Sequence, residues 1–276
     1  MKNDRLKSIL GIPYFLFLVI FVVCPVLILL YYAFTNGAGE FSLANFTLFF
    51  TDSKAIGTLI YSVMVAVVTT IVCLLIAYPV AYLLAKGEFR RGNVLLMLFV
   101  MPMWINFTLR ITALKEILTL IEGNLAFHPF LNTVIGMTYD FLPFMILPIY
   151  NTIAKIDHSY IEAAKDLGAK SYRVFLRVIL PLSIPGIISG ITMVFLPSMT
   201  NYVVLDMMYN STYIMGSLVG SYFSMYDWNN GSVISMILLI LILLLSTITG
   251  EFSDKEDNAY ELKKQYKVFS LEWFCC

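Results

Sequence analysis

Between two apolar runs lies the stretch Asp157-His-Ser-Tyr-Ile-Glu-Ala-Ala-Lys-Asp-Leu-Gly-Ala-Lys-Ser-Tyr-Arg-Val-Phe-Leu-Arg-Val-Ile-Leu-Pro181. Ser159 and Glu162 have the S-x-x-E spacing of a capping box, which predicts the start of a helix. Gly168 is the residue type that ends a helix in the left-handed conformation. Ser171 can cap a second helix, and Pro181 ends it. The stretch therefore predicts two short helices that are joined at a glycine.

Both predicted helices are amphipathic. The first has Ile161, Ala164 and Leu167 on one face. The second has its apolar residues on one side and its arginines on another, namely Val174, Phe175 and Val178 against Arg173 and Arg177. We expect both helices to lie at a membrane surface, because each has an apolar side that must be covered and a charged side that must be solvated.

The rest of the chain is too apolar for a soluble fold. Hydrophobic residues make up 59% and charged residues 13% of its 276 residues, against about 45–50% and about 25% in ordinary soluble proteins. This composition excludes a cytosolic enzyme, a nucleic-acid-binding protein and a disordered protein. The 18 basic and 18 acidic residues cancel, so the net charge points to no partner. We expect an integral membrane protein.

Six stretches are apolar enough to cross a bilayer, which takes about 20 residues of helix. The predicted fold is an all-α membrane protein with spans at about 10–34, 58–85, 93–113, 132–153, 184–205 and 232–250. The first run is too long for the apolar core of a signal peptide, and we interpret it as a retained anchor. Residues 1–9 and 251–276 are then terminal segments, and 154–183 is the loop between spans four and five.

The basic residues predict the orientation, because cytoplasmic loops carry an excess of Lys and Arg. With the N-terminus in the cytoplasm, all 18 basic residues except Lys54, Arg110 and Lys115 fall on the cytoplasmic side. Both termini and the loop 154–183 are therefore expected inside.

Prolines interrupt the predicted spans at Pro25, Pro79, Pro102, Pro143, Pro148 and Pro197, and Gly136, Gly186 and Gly190 offer places where helices can approach closely. Two interpretations stay open. The prolines are either ordinary kinks in a packed bundle or kinks along a path that opens and closes.

Common catalytic and nucleotide-binding patterns are missing from the sequence. It contains no G-x-x-x-x-G-K-[ST], G-x-S-x-G or H-E-x-x-H pattern. The cysteines (Cys24, Cys73, Cys275 and Cys276) and histidines (His128 and His158) have no metal-ligand spacing. Within the spans only Arg110 and Asp140 ionise, both toward an outer end. Ion-coupled transport is disfavoured, because it needs a charge near the membrane midplane.

Glu162-Ala163-Ala164, followed after three residues by Gly168 and after nine more by Val178-x-Leu180-Pro181, resembles the EAA loop of ABC importer permeases. The family pattern is E-A-A-x3-G-x9-I-x-L-P, and Val178 replaces its isoleucine. The likeness to the spermidine/putrescine permeases of this family covers about residues 10–250. It extends to the segments 77–86, 102–111, 142–150 and 162–190.

The resemblance implies a type I importer permease with a MetI-like fold of six helices, itself without catalytic activity or bound cofactor. It implies that the EAA loop couples the chain to a separate ATPase, through Glu162, Ala163, Ala164, Gly168, Leu180 and Pro181. The implied partners are a homologous second permease, two ATPase copies that bind ATP and Mg²⁺, and an extracytoplasmic polyamine-binding protein.

Residues for a substrate pathway follow from chemistry, because ammonium groups bind carboxylates and aromatic faces. The candidates toward the outer side are Trp104, Asn106, Arg110, Tyr139, Asp140, Tyr202 and Asp206, with a further cluster at Tyr226, Asp227 and Trp228. Trp and Tyr also anchor helices at membrane interfaces, and Asn106 could simply bond a neighbouring helix. Asp140 could contact a cation or pair with Arg110, and the sequence leaves both open.

Other function classes have less support. A secondary transporter or channel acting alone would be expected to have an ionisable residue at the membrane midplane or inverted repeats, and neither is evident in the sequence. A membrane-embedded enzyme lacks a catalytic constellation. Within the importer class, another small solute stays an alternative to polyamines. The tail 251–276 matches no feature of the family.

Overall fold

The computed structural model describes residues 13–87 and 92–247, and these are helical apart from loops and one isolated bridge between Thr35 and Phe41. The terminal segments 1–9 and 251–276 lie outside the described residues, as do Cys275 and Cys276. The helices are α1 (Pro13–Ala33), α2 (Ala44–Thr51), α3 (Ser53–Lys86), α4 (Gly92–Val100), α5 (Phe107–Glu122), α6 (Pro129–Lys155), α7 (His158–Asp166), α8 (Ser171–Leu182), α9 (Ile184–Ser198), α10 (Tyr202–Met207), α11 (Met215–Ser224) and α12 (Trp228–Thr247).

Four of these helices, α1, α3, α6 and α12, are each long and apolar enough to cross a bilayer. Two more spans arise if each bent helix pair counts as one. The pair at α4 and α5 is bent by 99°, and the pair α8 and α9 by 62°. The described residues therefore contain four to six membrane spans.

The predicted spans at 93–113 and 184–205, each of which contains a proline, are not single helices in the structure. In the first, Pro102 lies in a tight helical turn, Met101–Trp104, and Asn106 caps a new helix by accepting from the N–H groups of Thr108 and Leu109. In the second, α9 ends at Ser198 and the separate helix α10 follows. Local caps and proline geometry therefore override apolar continuity.

Two prolines follow widened helical turns. A π-helical turn at Val19–Val23 precedes Pro25, and another at Phe175–Ile179 precedes Pro181. A proline ring clashes with the carbonyl four residues earlier, and the wider turn moves that carbonyl aside. The helices α1 and α8 therefore continue through these prolines, and α8 ends only at Leu182.

One compact unit contains the described residues 13–60 and 213–242. Its core consists of buried apolar side chains from α1, α2, α3, α11 and α12, namely Ala33, Phe49, Ala55, Met215, Val233, Ile234 and Leu238. The side chain of Asn229 donates to the backbone carbonyls of Tyr32 and Thr35. This polar contact fixes the start of α12 against the end of α1.

The second unit contains the described residues 61–87, 92–212 and 243–247. Its buried centre is α6, where Met137, Met145, Ile146, Ile149 and Ile153 have no exposed surface. A Cβ atom on Gly186 would lie 2.8 Å from the backbone oxygen of Pro148, and one on Gly190 would lie 2.6 Å from the sulfur of Met145. The predicted close approach at these glycines is thus present, with α9 packed on α6.

Candidate functional site

The loop between α6 and α9 forms the two predicted helices, α7 and α8, but the capping box is wrong. Asp157 caps α7 instead: its Oδ1 accepts from the N–H of Ser159 at 3.0 Å. Glu162 lies 3.2 Å from Nδ1 of His158, and both of these side chains are exposed. Asp157 prevails because a carboxylate interacts more strongly than a hydroxyl with the positive end of a helix.

The turn between α7 and α8 forms at Gly168, as predicted, with φ +79°. The N–H of Gly168 donates to the carbonyl of Lys165 at 2.8 Å, and that of Ala169 donates to the carbonyl of Ala164 at 3.1 Å. These two bonds are the Schellman arrangement, whose left-handed residue glycine tolerates best. The loop therefore reverses sharply at one residue.

The tip of this loop is exposed. Ile161 on the predicted apolar face is buried, but Leu167 is 89% exposed, so its assignment to that face is wrong. At 3.6 residues per turn, Leu167 is about 120° around the helix from Ile161, because the two residues are six positions apart. A Cβ atom on Gly168 would meet nothing within 4 Å. Leu167 and Gly168 therefore present an apolar, small-residue tip.

The base of the loop is tightly held by α3. The ammonium of Lys86 donates to the carbonyl of Ile156 at 2.6 Å. The ring of Phe175 packs edge-on against Tyr78 and Tyr82, with centroid distances of 5.7 and 5.4 Å. The hydroxyls of Tyr78 and Ser183 lie 2.9 Å apart in a buried hydrogen bond, at the bend between α8 and α9. A displacement of α8 would therefore be transmitted to α3 and, through the bend at Ser183, to α9.

Three further predicted loop residues have modest local roles. Ser171 is the first residue of α8, and no side chain caps that helix, so its assignment as the cap is wrong. Leu180 is half-buried and its carbonyl accepts from the hydroxyl of Ser183 at 2.8 Å. Pro181 is exposed. A polar residue at the start of a helix does not become its cap unless the backbone turns there.

The structure brings together two candidate pathway residues, Arg110 of α5 and Asp140 of α6. Nη2 of the arginine lies 2.6 Å from Oδ1 of the aspartate, and the residues are only 7% and 4% exposed. The other two guanidinium nitrogens, Nε and Nη1, are buried and have no hydrogen-bond partner among the described residues. Of the two alternatives for Asp140, pairing is the one that the structure contains.

The side chains of the other pathway candidates form no hydrogen bond to this pair among the described residues, although Tyr139 directly precedes Asp140 in α6 and the carbonyl of Asn106 accepts from the N–H of Arg110 at 3.2 Å. Trp104 is 85% exposed, and the side chains of Tyr139, Tyr202 and Asp206 are also exposed. Asn106 caps α5 rather than bonding a neighbouring helix. Their participation in a substrate pathway stays a prediction.

Sequence reasoning missed a polar junction in the second unit. Asn210 is 4% exposed, and its amide donates to the hydroxyl of Tyr61 and to the hydroxyl of Thr133, each at 2.9 Å. Nearby in sequence, the ring of Tyr209 lies under the ammonium of Lys115, 4.3 Å from its centroid. The only sequence signal for this junction was the amide side chain of Asn210 near apolar residues. Its partners, 77 and 149 positions away in the chain, could not be identified locally.

A family model described as "binding-protein-dependent transport system inner membrane component" matches residues 5–252 of the chain. The spermidine/putrescine transport system permease protein PotB of Haemophilus influenzae is 35% identical over 265 residues, covering 88% of this chain and 92% of the relative. PotB of Escherichia coli K12 is 33% identical over 239 residues, covering 81% and 86%.

Solved transporters share the fold. A permease chain of a bacterial alginate ABC transporter, in complex with an alginate pentasaccharide-bound periplasmic protein, superposes with a TM-score of 0.73 at 12% identity, covering 92% of this chain and 96% of its own. A chain of the MetNI methionine ABC transporter in an inward-facing conformation has a TM-score of 0.55 at 17% identity, covering 74% and 99%. At such identities the likeness concerns the fold.

Proposed function

The chain belongs to the family of binding-protein-dependent transport system inner membrane components, and we propose that it carries polyamines across the cytoplasmic membrane as one permease subunit of an ATP-driven importer. It is a multi-pass α-helical membrane protein with the type I ABC importer permease fold. Its own residues supply the path and the coupling element, and ATP and Mg²⁺ belong to a separate subunit.

Polyamine as the substrate class is supported by the relatives. Two PotB proteins from different bacteria align over more than four fifths of this chain, at 33–35% identity. Another small solute is the alternative within the class, because related permeases differ in what they carry. Exposed carboxylate and aromatic side chains such as Asp206 and Tyr202 suit a polycation, since ammonium groups gain both ion pairing and cation–π attraction.

The loop of α7 and α8 supports coupling to an ATPase, and its geometry is the observation that carries the proposal. Its tip at Leu167 and Gly168 is exposed, whereas its base is bonded to α3 through Lys86 and Tyr78. A partner that grips the tip and moves on ATP binding would displace α8 and, through the Ser183 bend, α9. Work is transmitted only if the ATPase states contact this tip differently.

The proposal implies a defined set of partners. They are a homologous second permease of the PotC type, an ATPase dimer of the PotA type and an extracytoplasmic polyamine-binding protein of the PotD type. No nucleic acid takes part. Selectivity at low polyamine concentration would reside mainly in the binding protein, because the permease meets only what that protein delivers.

Gly168→Asp tests the coupling. The complex is reconstituted in vesicles, and uptake of radiolabelled spermidine and retention of the ATPase on the permease are measured. We expect a membrane-inserted variant that retains little ATPase and takes up no spermidine. Gly123→Asp is the matched control, because Gly123 also has a left-handed φ of +75° and open space around its Cβ position but ends α5. Normal uptake by a well-inserted Gly168→Asp variant contradicts the proposal.

A stand-alone transporter or channel is the alternative from another class. The purified chain reconstituted by itself decides it: spermidine accumulation against a gradient, without ATPase, would overturn the importer assignment. Transport of a different solute by the intact complex, with no polyamine uptake, would instead overturn only the substrate class.

A further inference from the structure

A cavity of about 240 Å³ opens in the first unit, among α2, the start of α3, α11 and α12. Its walls are mostly apolar, formed by Leu48, Phe49, Ala55, Val233 and Ile234, and its polar groups come from Asn45, Asp52, Tyr222 and Asn230. The distribution of basic residues predicts that this end of the unit faces the extracytoplasmic side. The function derived above does not use this cavity.

One carboxylate, that of Asp52, lines the cavity, and a second, that of Asp227, is bonded to its lining residue Asn230. Oδ1 of Asp52 accepts from the N–H of Lys54 at 2.9 Å and so caps α3. Asp227 caps α12, with its Oδ1 3.2 Å from the N–H of Asn230 and its Oδ2 2.8 Å from the amide nitrogen of that residue. Neither carboxylate forms an ion pair within residues 13–87 and 92–247. Both carboxylates are therefore held by neutral donors rather than by a direct ion pair.

The phenol of Tyr222 lies in this negative field. Burial, and then the charges of Asp52 and Asp227, raise the pKa of Tyr222. The hydroxyl therefore stays protonated at neutral pH, and its ring lines the cavity as a neutral aromatic wall beside the Asp52 carboxylate.

We propose that this cavity binds a primary ammonium group on an aliphatic chain, with Asp52 as its counter-ion and Tyr222 as its aromatic wall. An ammonium donates three hydrogen bonds and is attracted to an aromatic face. The apolar walls suit a methylene chain. At about 240 Å³ the cavity is smaller than sites for drug-sized ligands, which span about 300–1,000 Å³, and so it suits a short chain.

A metal ion fits the same residues poorly. Hard divalent cations take six or more oxygen ligands, and the described residues include no group of three or more His, Cys, Asp or Glu side chains that could hold a metal. The ammonium can come from a soluble polyamine or from the headgroup of phosphatidylethanolamine. A role of this cavity as the entry site for one end of a polyamine rests on the function proposed above.

Binding of tritiated putrescine to the full chain, in nanodiscs of phosphatidylcholine alone, tests the site. Asp52→Asn keeps the helix cap but removes the charge, and we expect about tenfold weaker binding from the lost charge-assisted contact. Asp227→Asn should weaken binding less. Glu40→Gln is the control, because Glu40 is an exposed carboxylate of the same unit outside the cavity. Equal binding by wild type and Asp52→Asn, or displacement of putrescine by equimolar Mg²⁺, would overturn the site.

Two further arms separate the sources of the ammonium and the two proposals. If adding phosphatidylethanolamine to the nanodiscs blocks putrescine binding in wild type, the ammonium site is supported with the lipid as its occupant; unchanged binding supports the soluble amine. Normal spermidine uptake by a complex carrying Asp52→Asn, with binding lost, would refute the entry role and leave the importer intact. A wild-type complex that binds putrescine here without importing polyamines would refute polyamine import and the entry role, and would leave the ammonium site itself intact.

Discussion

Removing one partner of the buried Arg110–Asp140 pair should destabilise the protein far more than removing both. At 2.6 Å, with an effective dielectric constant of about 20, the attraction is about 6 kcal/mol. Desolvation of each buried ion costs several kcal/mol, so the intact pair is nearly neutral in net free energy. Arg110→Gln or Asp140→Asn alone leaves one buried charge unpaired, at a cost of about 3–5 kcal/mol.

Thermal unfolding of the purified variants measures this effect. A loss of about 4 kcal/mol lowers the Tm by about 10 °C in a chain of this size. The double variant Arg110→Gln/Asp140→Asn should recover most of that loss, because no unpaired charge remains. Spermidine uptake is measured on the same variants. A contact role for Asp140 predicts a double variant that is stable but does not take up spermidine, whereas a purely structural pair predicts recovery of both properties.

A matched comparison shows whether charge is the cause. Asp206 is an exposed carboxylate of the same unit, and Asp206→Asn should leave the Tm within about 1 °C, as surface substitutions usually do. Energetic coupling of Arg110 and Asp140 is refuted if each single variant unfolds at the wild-type temperature, or if the double variant is destabilised by the sum of the two single effects.

Three other substitutions have expected outcomes. Tyr78→Phe removes the buried bond to the hydroxyl of Ser183, costing about 1 kcal/mol, and should lower spermidine uptake per ATP hydrolysed while the complex stays assembled; unchanged coupling would remove that bond from the transmission path. Gly186→Val forces a side chain into a backbone carbonyl of α6 and should destabilise the chain by about 3 kcal/mol. Its control is Gly220→Ala, which has open space around its Cβ in the middle of α11 and should be neutral or slightly stabilising in a thermal melt. Tyr226→Gly relieves the backbone strain of a left-handed tyrosine with φ +60° and should raise the Tm by a few degrees. A lower Tm would mean that the contacts of the exposed ring stabilise the protein by more than the strain destabilises it.

The loop formed by α7 and α8 was largely predictable because its signals are local. Gly168 ends α7 in the left-handed conformation, and the apolar positions of α8 follow its helical period. The errors in the loop are also local. Ser159 and Ser171 were assigned as caps by residue type, but the chain turns at Asp157 for one helix and at Lys170 for the other.

The buried polar contacts of the second unit were less predictable, because they depend on partners that are distant in the chain. The pairing of Arg110 with Asp140 was one of two equal alternatives from sequence, and the structure supplies the distance between them. Asn210 was missed altogether, since its importance comes from Tyr61 and Thr133. The cavity at Asp52 involves residues from both ends of the chain.

The sequence by itself determined the membrane character, the all-helical fold class and the position of the loop formed by α7 and α8, and the orientation stays a prediction. Each of these depends on hydrophobicity, charge or cap chemistry within a window of about 20 residues. The tertiary structure alone decided which buried charges pair and where a cavity forms. Those features arise from packing between helices that are far apart in the chain, and no local pattern of residue types encodes which helices meet.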